Sequence, residues 1–502
     1  MQEGRKCAIV GVLDNFRMNR MPRKFLLSAL VPFLVNTGAI AATPGNDPAA
    51  LATIRDASMG SNWAYERLAD MTDLIGPRLS GSKGDAAAVE QVAEAMRKLG
   101  AKVTLQPVKV PHFVRGAEAG ELVEYRGRPA GITQKVVLTA LGGSGATAPS
   151  GLTAAVVVVR SFDELKARAA EVKGRIVLFD VRFDQDMANR GLSGQAYGQV
   201  QRYRGNGTRM AAEMGAAAVL VSSAGGANFR LPHTGSSGLT DAARIPAAAV
   251  TVEDSLLMAR LAARGPLSMK LTLTPRNLPD ADSFNVIADY PGTDKADEIV
   301  IVSGHLDSWD LGTGANDDAT GVVSAMAVVD TLKKLDYRPR RTIRVIAWAN
   351  EENGMRGAQG YLEANKASVD KHFAAIESDG GAGKPFGIRS SAPHYASALF
   401  APLQASLEQI GAGALQRADV LATGDLRGLE LLGVPSFSPL IDGSDYFHYH
   451  HTAADTLDKV DPMNLKRHVA LVTSLTWYLA NMEQSIGRWS APAKAPVAAA
   501  PN

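Results

Sequence analysis

Apolar residues recur at helical spacing through "NWAYERLADMTDLI" and "AAAVEQVAEAMRKLG", which predicts two amphipathic helices. Between them "GPRLSGSKG" carries Pro77 and several glycines and reads as a loop. "AKVTLQPVKV" then alternates apolar and polar positions like a strand. From about Val114 the texture changes to short β-rich runs such as "KVVLTAL", "AAVVVV" and "RIVLFDV", separated by Gly, Ser and Pro. "GTRMAAEMGAAAVLVSS" reads as a helix followed by a strand, and "IPAAAVTVEDSLLMARLAARG" as a strand leading into a helix. Residues 114–277 are therefore expected to form a separate β-rich module.

At "NVIADYPG" a strand–helix–strand rhythm begins and continues to about residue 485. Its strands are predicted at Val286–Tyr290, Ile299–Val302, Ile343–Ala349 and Ala374–Glu377. Alternation of this kind implies an α/β fold whose mixed sheet is mostly parallel, with helices on both faces. The expected organisation is a first segment of the main domain over 43–113, the module over 114–277 and a second segment over 278–485. Residues 486–502, which end in the Ala/Pro-rich "APAKAPVAAAPN", are expected to be a disordered tail.

The first forty residues carry a different pattern. "MPRKFLLSALVPFLVNTGAIAATPG" starts at Met21 with basic Arg23 and Lys24, continues with an apolar run from Phe25 to Val35, and reaches small residues before Ala42. This is the layout of a secretory signal peptide, expected over 1–42, with the true start at Met21 because residues 1–20 lack it. The apolar run is too short to span a membrane permanently. The single cysteine, Cys7, lies upstream of it. A mature chain without cysteine or lipid-attachment site fits a periplasmic or secreted location, with no stable membrane anchor and no disulfides.

Composition narrows the function classes. The chain has 502 residues, 46% hydrophobic and 21% charged, with a formal net charge of +2. Those values are ordinary for a globular protein, and without a basic run they argue against a nucleic-acid partner. No Gly-x-Ser-x-Gly elbow and no phosphate-cradling loop ending in Lys-Ser/Thr are present.

The chemistry gathers where strands end, which in α/β sheets is where functional groups collect. "IVIVSGHLD" delivers His305 and Asp307, "IRVIAWANEENG" delivers Glu351 and Glu352, and "FAAIESDGG" delivers Asp379. Asp317 opens the following helix within "GHLDSWDLGTGANDDATG", and "HYHHTAADT" supplies His451. Carboxylates brought this close repel one another unless a cation lies between them. Imidazole plus carboxylate suits zinc first, with manganese or cobalt as substitutes. Two such ions can clamp and acidify a shared water.

"GHLDSWDLGTGANDDATG", "NEENGMRGAQGY", "ESDGGAGKPFG" and "YFHYHHTAADT" occur in the order of the metal motifs of the co-catalytic zinc peptidases. The chain resembles that family, which includes bacterial zinc aminopeptidases and glutamate carboxypeptidases, over most of residues 50–485. The resemblance implies two zinc ions per chain. His305 and Asp379 would each bind one zinc, Asp317 would bridge, and Glu352 and His451 would complete the second. Glu351 would be the general base acting on a metal-bridging hydroxide, and Asp307 would orient His305. It further implies that residues 114–277 are a protease-associated domain roofing the cleft, that the substrate is a dipeptide or short peptide, and that the enzyme is a homodimer. Many relatives carry Tyr before the last zinc-binding His. Here His450 stands there, which assigns it to oxyanion or substrate contact.

Other residues read more plainly. Asp310 is expected to be a loop residue, Asp318 a helix cap, and His448 a lining residue of the cleft. His112, His233, His372, His394 and His468 are expected to be ordinary core or surface side chains. Two alternative functions keep the scaffold: a non-catalytic peptide-binding relative, and a single-zinc acyl transferase resembling glutaminyl cyclases.

Overall fold

The computed structural model describes residues 44–226, 229–418 and 424–490, and these fall in one structural unit. The signal peptide expected over 1–42 lies outside them.

Two eight-stranded sheets organise the described chain. In the first, the strands run in the order Lys102–Val114, Arg276–Tyr290, Arg341–Trp348, Lys295–His305, His372–Glu377, Ser436–Ile441, Pro385–Ser390 and Ala414–Arg417. The four strands from Arg341–Trp348 to Ser436–Ile441 are mutually parallel. The long pair Lys102–Val114 and Arg276–Tyr290 is antiparallel, as is the junction of Ser436–Ile441 with Pro385–Ser390.

Alternation along these strands sends side chains to two cores. Val300 and Val302 enter one core, and Ile301 the other. Ile343, Val345 and Ala347 likewise oppose Ile346 and Trp348. Period-two apolar alternation on both phases is what a strand buried on both faces requires. Helices Pro48–Gly60, Trp63–Leu74, Lys83–Lys98, Thr320–Lys334 and Pro462–Asn481 cover the first face, and Arg356–Asn365 and Arg427–Leu431 the second. Their ends follow local chemistry. Ser82 accepts from Asp85 N, and Asp461 accepts from Asn464 N with Pro462 at the first position.

All four predicted strands of the main sheet are present, each longer at its amino end than expected. Pro385–Ser390, Ala414–Arg417 and Ser436–Ile441 lacked a periodic signal because they are short and partly exposed.

The second sheet is built from residues 118–273 in the order Gln134–Val136, Glu118–Tyr125, Leu267–Leu273, Leu152–Val159, Ile176–Phe179, Ala218–Ser222, Ala247–Val250 and Leu138–Ala140. The chain leaves the first sheet at Val114 and rejoins it at Arg276, residues that pair with each other. A helix, Ser193–Arg202, projects from this segment between two wider-wound turns, Ala188–Leu192 and Tyr203–Gly207. Trp309 of the main segment inserts into the second sheet's core. Arg115 grips Asp310 through two hydrogen bonds of 2.6 and 2.8 Å, so this loop aspartate joins the two sheets.

Of the tail expected over 486–502, the described part packs. Ile486 and Trp489 are buried, and Trp489 N donates to Gly433 O at 2.9 Å. Residues 491–502 lie outside the described residues. No helix among the described residues is long and apolar enough to cross a membrane.

Candidate metal centre

His305, Asp317, Glu352, Asp379 and His451 come together at the carboxyl ends of the central parallel strands. His305 ends its strand, and its Nδ1 lies 2.9 Å from the main-chain carbonyl of Asp307. A carbonyl only accepts, so Nδ1 carries the proton and Nε2 is left as the free donor atom. That Nε2 lies 3.2 Å from Asp317 Oδ1 and 3.5 Å from Asp379 Oδ1. On the other side of Asp317, His451 Nε2 is 3.2 Å from Asp317 Oδ2 and 2.9 Å from Glu352 Oε2. Asp317 thus stands between a His305–Asp379 group and a Glu352–His451 group.

The support of this arrangement begins in the loop read as "GPRLSGSKG". Arg78 is fully buried, and it donates to the carbonyls of Leu306 (2.8 Å), Thr313 (2.6 Å) and Gly314 (2.9 Å). It thereby shapes the path from His305 to Asp317. Asp455 accepts from Asn316 N at 2.8 Å and from Asp317 N at 3.1 Å. Neither residue was singled out from the sequence. Asp455 sat in a quoted stretch, but its partners are main-chain amides about 140 positions away, which no local pattern reveals.

Asp307 meets His305 through its main-chain carbonyl. Its carboxylate is 3.9 Å from the ring and instead accepts from Ser80 Oγ (2.7 Å), Glu351 N (2.9 Å) and Glu352 N (3.3 Å). The turn carrying the two glutamates presents inward amides, and Asp307 satisfies them. Asp318 caps the next helix through Gly321 N at 3.0 Å and also accepts from His305 N at 3.1 Å. It lies with His305 and Asp379 in one group able to hold an ion. His450 stacks on His451 with ring centroids 3.6 Å apart, and its Nε2 is 3.4 Å from Asp317 Oδ2. His233, expected to be an ordinary residue, is buried with Nδ1 2.8 Å from the His450 carbonyl. His448 contacts Gln185 Oε1 at 3.0 Å, and His468 contacts Ser378 Oγ at 2.7 Å behind Asp379.

The electrostatics follow from burial and crowding. Burial alone would depress His305, but Asp317 and Asp379 outweigh it and hold the ring well above its usual range. For His451, burial is outweighed by Glu352 and Asp317, and the ring rises to about 9. Burial pushes Glu351 well above the usual carboxylate range, with His305 opposing and Asp379 and Glu352 reinforcing. His450 is held well below the usual histidine range by burial and by His451, so it stays neutral. Two like charges about 4 Å apart at a partly buried site repel by roughly 4 kcal/mol. Burial and this repulsion make Glu351 and Glu352 retain protons unless a cation is shared.

The donor set fits divalent zinc. Asp317 Oδ2 and Glu352 Oε1 are buried with no hydrogen-bond partner. Donor atoms of His305, Asp317 and Glu352 lie within 4.8 Å of one another, as do those of Asp317, His450 and His451. Neutral imidazole nitrogens and carboxylate oxygens are the donors zinc prefers in the absence of thiolate. A cavity of about 760 Å³ opens onto these groups, lined by Asp317, Glu351, Glu352, Asp379, His450 and His451 below and by the Ser193–Arg202 helix above.

The model of peptidase family M28 matches residues 285–476. Carboxypeptidase Q from Homo sapiens is 35% identical over 433 residues, covering 85% of this chain and 87% of that protein. The crystal structure of a peptidase M28 precursor from Shewanella amazonensis SB2B superposes with a TM-score of 0.82 at 34% identity, covering 89% of this chain and 99% of that one. A zinc aminopeptidase from Bacillus subtilis shares the fold, with a TM-score of 0.61 at 20% identity over 85% of this chain and 97% of that one.

Proposed function

The chain belongs to peptidase family M28 and is a metallopeptidase, and from that premise we propose that it is an exported di-zinc exopeptidase of dipeptides and short peptides. The observation that carries this reading is Asp317 standing between His305–Asp379 and Glu352–His451, with a buried carboxylate oxygen on each of Asp317 and Glu352 that makes no hydrogen bond. His305 and Asp379 would hold one zinc, Glu352 and His451 the other, and Asp317 both. Bound there, zinc acidifies water and polarises a carbonyl.

The chain's own groups do the rest. Glu351 lines the cavity beside Glu352, and its main-chain N–H is anchored on Asp307. Its carboxylate takes a proton from the attacking water and delivers it to the leaving amine. His450, neutral and lining the same cavity, donates to the developing oxyanion. Residues 114–277 act as a protease-associated insert whose helix Ser193–Arg202 closes the cavity from above. A volume of about 760 Å³ lies within the range of sites for small ligands, which supports short substrates. The signal-peptide pattern and the absence of cysteine after residue 7 support export.

The test is a panel of dipeptides offered to zinc-loaded enzyme, with each terminus free or blocked. Cleavage lost on N-acetylation assigns recognition to the amino end, and cleavage lost on C-amidation assigns it to the carboxyl end. No hydrolysis of any dipeptide or tripeptide by enzyme carrying two zincs would overturn the proposal.

A further inference from the structure

The second sheet does more than lie above the cavity. From the segment that builds it, Gly226 and residues 233–234 are hydrogen-bonded to residues 447–451. Gly226 N donates to Phe447 O (3.1 Å), His233 Nδ1 to His450 O (2.8 Å) and Thr234 N to His451 O (2.9 Å). Ser236 Oγ donates to the carbonyl of Glu352 at 3.0 Å.

The contact of greatest consequence involves the ring of His451. Its Nδ1 lies 3.2 Å from the carbonyl of Thr234. Arg204 Nη1, which can only donate, lies farther from Nδ1 at 3.4 Å; the nearer contact is to a carbonyl, which only accepts, and it places the proton on Nδ1 and leaves Nε2 to face Asp317 and Glu352. Arg204 fixes that carbonyl. Its Nη1 donates to Thr234 O at 2.7 Å, and its Nη2 donates to Tyr197 Oη at 2.7 Å. Arg204 is 5% exposed, and the guanidinium is pressed against the main chain of Gly235. A Cβ there would stand 2.1 Å from Arg204 Cζ, and φ is +134°. Only glycine allows both the approach and the conformation.

His305 and Asp379 are held differently. His305 is oriented by Asp307 O and by Asp318, which accepts from its N–H. Among the described residues, none of the hydrogen bonds or ion pairs that orient either residue comes from residues 118–273.

We propose that Arg204 and the segment His233–Thr234–Gly235–Ser236 are positioning elements of the Glu352–His451 metal position, so that the insert completes one metal position and leaves the other untouched. This rests on the two-metal reading. Outer partners of a ligating histidine set its tautomer and angle, and their loss weakens metal binding about 10–100-fold. Seating of the insert and retention of one zinc are thereby linked.

The experiment titrates zinc-free enzyme with Zn²⁺ against a chromogenic competing chelator, with bound zinc counted by elemental analysis. The proteins are wild type, Arg204→Gln, Arg204→Lys and Ser236→Ala, and the melting temperature of each zinc-free form is recorded alongside. Wild type is expected to take up two zincs. In Arg204→Gln one affinity falls about 10–100-fold and the other holds. Arg204→Lys recovers part of the loss, because an ammonium still reaches one carbonyl but cannot also serve Tyr197. Ser236→Ala shifts the same affinity by a smaller factor and decides the matter if Arg204→Gln does not fold. Unchanged affinities in both Arg204→Gln and Ser236→Ala, or equal weakening of both zincs, overturn this proposal alone. Fewer than two zincs in the wild type overturns the two-metal reading and this proposal with it.

Discussion

The donors on either side of Asp317 are held by different material. His305 and Asp379 sit at the ends of adjacent parallel strands, Lys295–His305 and His372–Glu377, where the sheet ladder sets their spacing before any side chain acts. Glu352 lies in a turn held by Asp307, and His451 lies in a loop at positive φ. Both lean on the second sheet through Ser236 and Thr234. A regular ladder places side chains without further help, whereas a loop needs partners outside itself. In the proposed enzyme the strand-held side is built by one sheet and the loop-held side by the seam between two.

Glu351 belongs to neither side, so its substitution separates chemistry from metal binding. Glu351→Gln is expected to lower kcat about 10²–10⁴-fold while two zincs remain bound, measured by turnover and elemental analysis on one preparation. A loss of zinc in that variant would make Glu351 a ligand instead. Asp455 acts on the shared member, because it fixes the amides of Asn316 and Asp317. Asp455→Asn presents an N–H to one of them, so both zinc affinities are expected to fall by about 10–100-fold. Equal weakening contrasts with the one-sided loss expected for Arg204→Gln, and chelator competition reads the two patterns.

A smaller effect concerns stability behind the strand-held side. His468 is buried against Ser378, next to Asp379, and burial lowers its pKa to about 4 from a reference of 6.5. The unfolded chain binds this proton more readily than the folded one, so stability is lost as pH falls from 6.5 toward 4. The full shift corresponds to about 3 kcal/mol. His468→Gln should flatten the fall in melting temperature between pH 7 and pH 4.5, and an unchanged slope would remove His468 from the account. Least of all, Ser80→Ala deletes one hydrogen bond to Asp307. It is expected to cost about 1 kcal/mol in thermal unfolding, with zinc content intact.

The strand-held side was legible in the sequence because its residues follow apolar runs whose alternation marks the strands. His305, Asp379 and the Glu351–Glu352 pair each sit within a few positions of a buried run, so periodicity and chemistry coincide. Of the loop-held side, Glu352 was legible because its turn follows such a run, and His451 only as an identity. Its partners act through main-chain carbonyls, as Thr234 does, or from positions more than 200 residues away, as Arg204 does relative to His451. Main-chain acceptors have no signature in side-chain identity. "HTGSSG" at 233–238 did hold a cue in Gly235, but only the approach of Arg204 shows what that glycine is for. Arg78 escaped notice for a related reason, since a buried arginine whose partners are carbonyls resembles any loop arginine in sequence. Asp307 meets His305 through its carbonyl and the Glu351–Glu352 turn through its carboxylate, a division that residue spacing cannot reveal.

Anomalous diffraction at the zinc edge from crystals of the zinc-loaded enzyme tests the central claim most directly. Two peaks about 3.5–4 Å apart are expected, one contacted by His305 and Asp379, the other by Glu352 and His451, with Asp317 reaching both. A single peak, or a pair that Asp317 does not join, would contradict it.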